Sequence, residues 1–239
     1  MFYLEFKRSI HNKTIIYLMT VTAAAFVMGW ALPFSLEHIT AIKYDYYMFS
    51  TYTVFTQFGF LLFGFVTSYF FNKDYKDRNT IFYTCFKINI LRYYLIKITI
   101  LFFEEIICIA GGLLIVGALF GSFEYFLPCL LLYTVVVFQY FIVVGAISLI
   151  FKSLLMSLGI SIIYWISSIV IVSFGGICKY FAVFDASNSL YNYVEKYFSQ
   201  RISVSVAVFT DPLIGFGLLI IVALLIIFGT SKKWIIKGL

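Results

Sequence analysis

Long apolar runs alternate with short polar and charged segments along the whole chain. Six of these runs are long enough to cross a bilayer as a helix, which takes about 20 residues. Because lipid offers the backbone no hydrogen-bond partners, such runs are expected to be helical. The pattern therefore predicts an all-α, polytopic membrane protein whose residues 1–239 form a single transmembrane domain. The six predicted spans are Ile15–Leu32, Phe49–Phe71, Ile98–Phe120, Cys129–Phe151, Leu154–Gly175 and Leu213–Thr230.

All three prolines lie at the ends of these runs. Proline is tolerated in the first turn of a helix and disrupts its interior. We therefore predict that Pro33 ends the first span, and that Pro128 and Pro212 mark the starts of the fourth and sixth spans.

Composition and charge add an orientation. The chain is 63% hydrophobic and only 12% charged, so lipid must surround most of it. Thirteen of its 17 Lys and Arg residues fall in four segments that alternate with outer ones, as the positive-inside rule requires of cytosolic loops. Both termini are therefore predicted to be cytosolic in a bacterial cytoplasmic membrane. The net charge of +6 follows from this topology and does not indicate nucleic-acid binding. The four basic segments are 1–14, 72–97, 152–153 and 231–239.

Three connections have a pattern of their own. Residues 1–14 fit either an amphipathic helix at the inner membrane interface or a plain basic flank. Residues 72–97 are the longest inner segment and predict a short cytosolic helix that leads into the third span. Residues 176–212 predict short outer helices before the sixth span, one of them capped by Asn188 or Ser189. That helix has apolar residues at helical spacing: Leu190, Tyr193, Val194 and Tyr197.

Motifs for catalysis and metal binding are absent from the sequence. There is no GxxxxGK[ST] loop for ATP, and both histidines lie outside the apolar runs. The four cysteines are far apart and have no metal-ligand spacing. Cys129 and Cys178 are predicted near the outer face, either as a disulfide or as free thiols. The sequence therefore predicts neither an enzyme nor a metal protein.

Glu104 and Glu105 interrupt the apolar third span. Intramembrane glutamic proteases carry an EExxxR motif and histidines in later helices, but Ile109 holds the arginine position here and no histidine follows. The pair lies about 10 Å along the helix from Lys97, and adjacent side chains diverge by about 100°. Because buried carboxylates are costly in a membrane, we predict that one of them faces the subunit interior near the cytosolic side, as a structural or gating group.

The layout as a whole resembles a known family. Its parts are a basic amino-terminal segment, six spans, a long basic loop between spans two and three, a very short Lys152-Ser153 connection, a long outer segment and the basic tail SKKWIIKGL. Over the whole chain this resembles the permease subunit of type-2 ABC transporters, in the small bacterial branch of peptide exporters and self-immunity pumps.

The resemblance implies partners. A cytosolic ABC ATPase subunit would bind ATP and Mg²⁺, so this chain would need no cofactor of its own. A second permease copy or a related permease would pair with it. The ATPase would dock on the loop between spans two and three, where the resemblance marks these coupling residues: Asp74, Tyr75, Lys76, Asp77, Arg78, Asn79 and Thr80.

Substrate would leave through the seam between the two permeases, and aromatic side chains are the candidates for lining it. Such a surface suits a peptide or lipid-like substrate, and amphipathic toxin or antimicrobial peptides are the favoured class. The candidate residues are Phe49, Tyr52, Phe55, Phe58, Phe60 and Tyr164.

Two alternatives remain open. The first is a proton-coupled secondary transporter that uses Glu104 and Glu105, although the two halves of the chain show no convincing inverted repeat. The second is a non-transporting membrane immunity factor.

Overall fold

The protein is an all-helical bundle in a computed structural model that describes residues 2–36, 41–77, 79, 83, 85–86, 88–151, 153–185, 188–200 and 210–237. A 3-10 helix spans Gly176–Phe181. The α-helices are α1 Phe2–His11, α2 Thr14–Leu36, α3 Tyr44–Gln57, α4 Gly59–Lys76, α5 Ile90–Phe120, α6 Phe126–Ile150, α7 Leu154–Val172, α8 Ser189–Gln200 and α9 Thr210–Lys237.

The prediction of an all-α membrane protein is confirmed. Within the described residues five helices are long and apolar enough to cross a membrane, and α3 with α4 makes a sixth span if that bent pair is counted as one. The longest, α5, has 31 residues and extends over about 46 Å, which exceeds the roughly 30 Å hydrocarbon core of a bilayer. Helix α5 is therefore longer than one crossing of the hydrocarbon region requires.

Helix α6 is the centre of the bundle. It is apolar on all sides, and 67% of the residues in its most apolar 18-residue stretch are buried. It packs against α3, α4, α5, α7 and α9. Its Tyr133 hydroxyl donates to the Met48 carbonyl at 2.8 Å, which ties α6 to α3. Hydroxyl-to-carbonyl bonds of this kind hold helices together where packing alone gives no hydrophobic driving force.

The second predicted span, Phe49–Phe71, is wrong as a single helix, because α3 and α4 meet at Phe58 with a bend of 53°. The break frees main-chain carbonyls, and the Tyr140 hydroxyl of α6 lies 3.0 Å from the Phe55 carbonyl and 3.1 Å from that of Thr56. A Cβ on Gly59 would lie 2.8 Å from the Tyr140 ring, so glycine is what lets Tyr140 approach. At membrane depth, backbone groups that lack a partner within their helix need hydrogen bonds from other parts of the protein, and the Tyr140 hydroxyl supplies them here.

Other helix ends differ from the predicted ones. Pro33 does not end the first span, because α2 continues to Leu36 with Pro33 in its last turn. The third span starts earlier than predicted, at Ile90, where the Asn89 side chain accepts a hydrogen bond from the Leu91 amide at 3.2 Å. Its end at Gly121 takes the left-handed conformation, with φ of 67°, that glycine favours after a helix.

The predicted helix before the last span is confirmed as α8, which begins at Ser189. It buries Leu190 and Val194, as the predicted apolar face requires, and also Phe198, whereas Tyr193 of that predicted face is 44% exposed. Asn188 precedes the helix, and its amide donates to the Lys179 carbonyl at 2.9 Å, which ties α8 to the 3-10 helix. The apolar stretch ISVSVAVF and the side chains of the tail SKKWIIKGL lie outside the described residues.

All four cysteines are free thiols. Cys129 is buried in α6, whereas Cys178 is half-buried in the 3-10 helix. Of the two alternatives for this pair, the structure therefore has the free thiols and not the disulfide.

Candidate functional site

Four charged side chains meet inside the bundle at the end where α4 finishes and α5 begins. They are Glu5 and Arg8 of α1, Asp74 of α4 and Lys97 of α5, and we call them the charge cluster. Lys97 Nζ lies 2.7 Å from Asp74 Oδ2 and 3.5 Å from Glu5 Oε2, while Arg8 pairs with the other Asp74 oxygen. Two cations facing two carboxylates make the cluster neutral, and pairing is what permits charges to be buried.

Two tyrosine hydroxyls complete the cluster. Tyr93 Oη donates to Asp74 Oδ2 at 2.7 Å. Tyr83 Oη donates to Glu5 and accepts from Arg8 Nη1, the latter at 2.8 Å. Burial, and next the nearby Asp74 carboxylate, raise the pKa of the Tyr83 phenol well above its usual range. Tyr83 therefore stays protonated and remains a donor to Glu5.

Lys97 is the most enclosed cation of the cluster, with 2% of its surface exposed. Its ammonium group lies 3.9 Å from the centroid of the Phe70 ring. A desolvated cation over an aromatic face gains roughly 2 kcal/mol, which offsets part of the cost of burial. Lys97 thus connects the end of α4 to the beginning of α5 through both an ion pair and a ring contact.

Helix α1 turns its polar side inward. Glu5 and Ser9, one turn apart, are buried, whereas Tyr3 and Leu4 are 73% and 68% exposed. The same outer side exposes Lys7 and His11, and such a mixture of apolar and basic groups is suited to the interface between lipid and water. Of the two alternatives for residues 1–14, the structure has the amphipathic helix, docked on the bundle through its polar face.

Both glutamates of α5 are buried and diverge toward different neighbours. Glu105 Oε1 accepts a hydrogen bond from the Thr22 hydroxyl of α2 at 2.8 Å. Glu104 lies beside Ser9 of α1, but no hydrogen bond of normal geometry joins them. Among the described residues neither Glu104 oxygen has a hydrogen-bond partner. A buried carboxyl without a partner costs free energy when it is ionised. Because such a cost needs an explanation, we treat Glu104 as a candidate functional residue.

The predicted ATPase-coupling residues divide at the end of α4. Asp74 belongs to the charge cluster, and the Tyr75 hydroxyl donates to the Leu149 carbonyl of α6 at 2.8 Å. Lys76 and Asp77 are exposed, and Asn79 is half-buried. The remaining members of the set, Arg78 and Thr80, lie outside the described residues.

The predicted translocation-path residues divide between interior and surface. Tyr52, Phe55 and Phe60 are buried inside this one subunit and line no outward surface in this conformation. Phe58, at the break between α3 and α4, is 39% exposed. The last two members of the set are half-buried, and these are Phe49 and Tyr164.

The charge cluster is not among the sites predicted from the sequence. The prediction related Lys97 only to the glutamate pair, about 10 Å further along the helix, whereas Lys97 pairs with Asp74 and Glu5. One signal was available, because Glu5, Arg8 and Ser9 lie at i, i+3 and i+4 and so share one face of a short helix. A face with a carboxylate, a guanidinium and a hydroxyl, beside apolar residues such as Leu4 and Phe6, indicates that this face meets polar groups elsewhere in the protein.

Comparison with known proteins gives the family. The model of the peptide export permease protein YydJ family matches residues 2–239. A probable peptide export permease protein YydJ of Bacillus subtilis (strain 168) is 36% identical over 194 residues, which cover 81% of each chain. No solved structure matches the chain. The prediction of a permease of the peptide-exporter class is confirmed at this level: the chain belongs to the peptide export permease protein YydJ family.

Proposed function

We propose that this chain is the membrane-spanning permease subunit of an ATP-driven exporter of amphipathic peptides. A separate cytosolic ABC ATPase subunit supplies ATP and Mg²⁺, and a second permease copy or a related permease completes the path. The permease lies in a bacterial cytoplasmic membrane with both termini in the cytosol. The family model and the Bacillus subtilis relative, both described as peptide export permeases, support the substrate class.

The observation that carries the proposal is the neutral charge cluster. It joins the amino-terminal helix α1 to the end of α4 and the start of α5. These are the two ends of the segment 72–97 expected to receive the ATPase. Because the paired charges are buried, displacing one of them alone leaves its partner unpaired, at a cost of about 3–5 kcal/mol. When the ATPase moves segment 72–97, α1, α4 and α5 therefore move together as one rigid unit.

Reconstituted transport tests the proposal. Proteoliposomes would contain the full chain with its partner ABC ATPase subunit, and uptake or release of a fluorescent amphipathic peptide would be measured. We expect transport that requires ATP, stops when the P-loop lysine of the ATPase is replaced, and continues with a protonophore. Transport by the permease alone, driven by an ion gradient, would overturn the proposal.

Charge reversal at the exposed end of α4 tests the docking surface separately. Asp77→Lys should lower peptide-stimulated ATP hydrolysis, because Asp77 is exposed directly after the charge cluster. The matched control is Glu124→Lys, an exposed carboxylate at the opposite end of the bundle. Equal effects of both variants on hydrolysis would place the ATPase elsewhere.

One observation favours a second function, proton-coupled transport. Glu104 is buried with both oxygens unpartnered among the described residues, which is the arrangement of a group that can take up and release a proton. This alternative requires Glu104 for transport itself, and the isosteric glutamine variant discriminates between the two mechanisms.

A further inference from the structure

The turn between α1 and α2 has two lysines beside it that take no part in the charge cluster. Lys73 Nζ of α4 donates to the side-chain oxygen of Asn12 at 2.8 Å, and Lys13, the next residue after Asn12, is exposed. Within the described residues the ion pairs are those of the charge cluster, and neither lysine forms one. Two positive charges at this turn therefore lack a counter-anion from the described part of the chain.

Lys13 also has an unusual backbone. Its φ of 59° lies in the left-handed region, and among the described residues no other residue except glycine has a positive φ. Glycine or asparagine takes this conformation at lower cost than lysine does. A backbone outlier of this kind motivates a functional hypothesis, and here it directs attention to the Lys13 side chain.

The surface beside the two lysines changes in layers toward the apolar part of the bundle. Lys73, Tyr69 and Phe65 follow one another one turn apart on α4, and Phe65 is 52% exposed. On α2, Tyr17 lies one turn after Lys13 and is 44% exposed. The rings of Tyr17 and Tyr69 meet with centroids 5.6 Å apart, and Lys73 Nζ lies 5.8 Å from the Tyr69 centroid. The two helices therefore share a charged layer, an aromatic layer and an apolar layer.

A phospholipid has the same order of groups, with a phosphate, then glycerol and ester oxygens, then acyl chains. Tyrosines of membrane proteins are enriched at the middle level, where the apolar ring and the polar hydroxyl each find a suitable environment. Basic groups next to a transmembrane helix attract anionic headgroups. Further out on α4, Lys76 and Asp77 are both exposed and carry opposite charges, so the excess of positive charge remains with Lys13 and Lys73.

We propose that Lys13, Lys73, Tyr17 and Tyr69 form a binding site for one anionic phospholipid, with phosphatidylglycerol as its model ligand. The two ammonium groups donate to the phosphate, and the tyrosine hydroxyls donate to the glycerol and ester oxygens. One acyl chain lies along Phe65. The bound lipid joins the turn between α1 and α2 to the end of α4 and so stabilises the docked position of α1. This inference goes beyond the proposed function and requires neither the ATPase nor the exported peptide.

The test is native mass spectrometry of the full chain in a neutral detergent. The protein is titrated with phosphatidylglycerol or with phosphatidylcholine of the same acyl chains, and the fraction of lipid-bound protein gives each Kd. We expect one phosphatidylglycerol to bind at least tenfold more tightly than phosphatidylcholine. The headgroup alone, sn-glycerol 1-phosphate, should bind far more weakly than the whole lipid.

Two variants remove the charges with little change to the fold. Lys13→Asn suits the left-handed backbone, and Lys73→Gln keeps an amide donor for Asn12. Each should raise the Kd for phosphatidylglycerol about fivefold, and the Kd for phosphatidylcholine should change much less. Thermal unfolding without added lipid checks the fold, and Lys13→Asn should be as stable as the wild type or more stable.

Lys7→Gln is the matched control, because Lys7 is exposed on α1 away from the aromatic layer. It should leave the Kd unchanged. Equal losses in Lys7→Gln and Lys73→Gln would mean that basic groups attract lipid diffusely, and would overturn the site. Equal binding of the two lipids, or headgroup binding as tight as that of the lipid, would overturn it as well. If Lys73→Gln instead loses the ATPase subunit on purification and keeps its lipid affinity, Lys73 serves the partner protein and the lipid site is wrong.

Discussion

Lys97 Nζ and Asp74 Oδ2 are 2.7 Å apart, and both side chains are almost completely buried. The pair joins the last turn of α4 to the second turn of α5, so the two ends of the connecting segment are fixed to each other. Arg8 holds the other Asp74 oxygen and adds α1 to the same unit. Three helices therefore share one set of charges that cannot separate without leaving an ion unpaired in a low-dielectric interior.

The first prediction concerns Lys97. Lys97→Met leaves Asp74 and Glu5 with one cation between them, and we expect a loss of about 3–5 kcal/mol in the free energy of unfolding. Arg92→Met on the same helix is the control, since Arg92 is exposed, and it should change stability by less than about 1 kcal/mol. Thermal unfolding of the purified protein in detergent measures both.

A double variant checks the reason for this loss. Lys97→Met with Asp74→Asn leaves Glu5 and Arg8 as a neutral pair. The loss in the free energy of unfolding of the double variant should be smaller than the sum of the losses in the two single variants, because Lys97 and Asp74 are partners of each other. Strict additivity would mean that the side chains contribute by packing and not by charge.

The second prediction concerns the docking of α1. Arg8→Leu removes the contacts to Asp74 and Tyr83, and α1 should leave the bundle more often. A cysteine at Ser9, which is fully buried, reports this opening through its rate of reaction with a maleimide. Native Cys85 and Cys178 are replaced by serine, because neither of them is buried.

We expect labelling at position 9 to accelerate by about tenfold or more, which corresponds to the loss of roughly 1.4 kcal/mol. Lys7→Leu is the control, because Lys7 is exposed on the same helix, and it should leave the rate unchanged. An equal rate in the Arg8 variant would show that α1 is held by its other contacts.

The sequence predicted the fold better than the site, and the reason is physical. An apolar run long enough to cross a bilayer is recognised from consecutive residues, without knowledge of tertiary contacts. The number and approximate position of the spans therefore follow from the sequence alone. The break at Phe58 does not, because no proline marks it and the Tyr140 hydroxyl that bonds to its freed carbonyls belongs to another helix. Likewise the charge cluster assembles residues of three helices, and only their tertiary arrangement makes a neutral set.

The third prediction concerns the two glutamates of α5. Glu104→Gln and Glu105→Gln keep the shape of the side chain and cannot carry a charge. In Glu105→Gln the new amide oxygen can still accept the Thr22 hydroxyl, so stability should change by about 1 kcal/mol or less. Under ATP-driven export both single variants and the double variant retain peptide transport. Loss of transport in Glu104→Gln, with the protein still folded, would instead support the proton-coupled mechanism.

The last prediction uses two adjacent glycines of α5. A Cβ on Gly112 would overlap the Phe26 ring of α2, whereas a Cβ on Gly111 meets no described atom within 4 Å. Gly112→Ala should therefore push α2 away from α5 and destabilise the protein by about 1–3 kcal/mol. Gly111→Ala should be neutral or stabilise it by up to roughly 1 kcal/mol, because alanine favours the helix and no neighbour must move. Since the two variants add the same methyl group one residue apart, thermal unfolding compares close packing with helix propensity directly. Equal stabilities would mean that α2 and α5 do not make this close contact in the membrane.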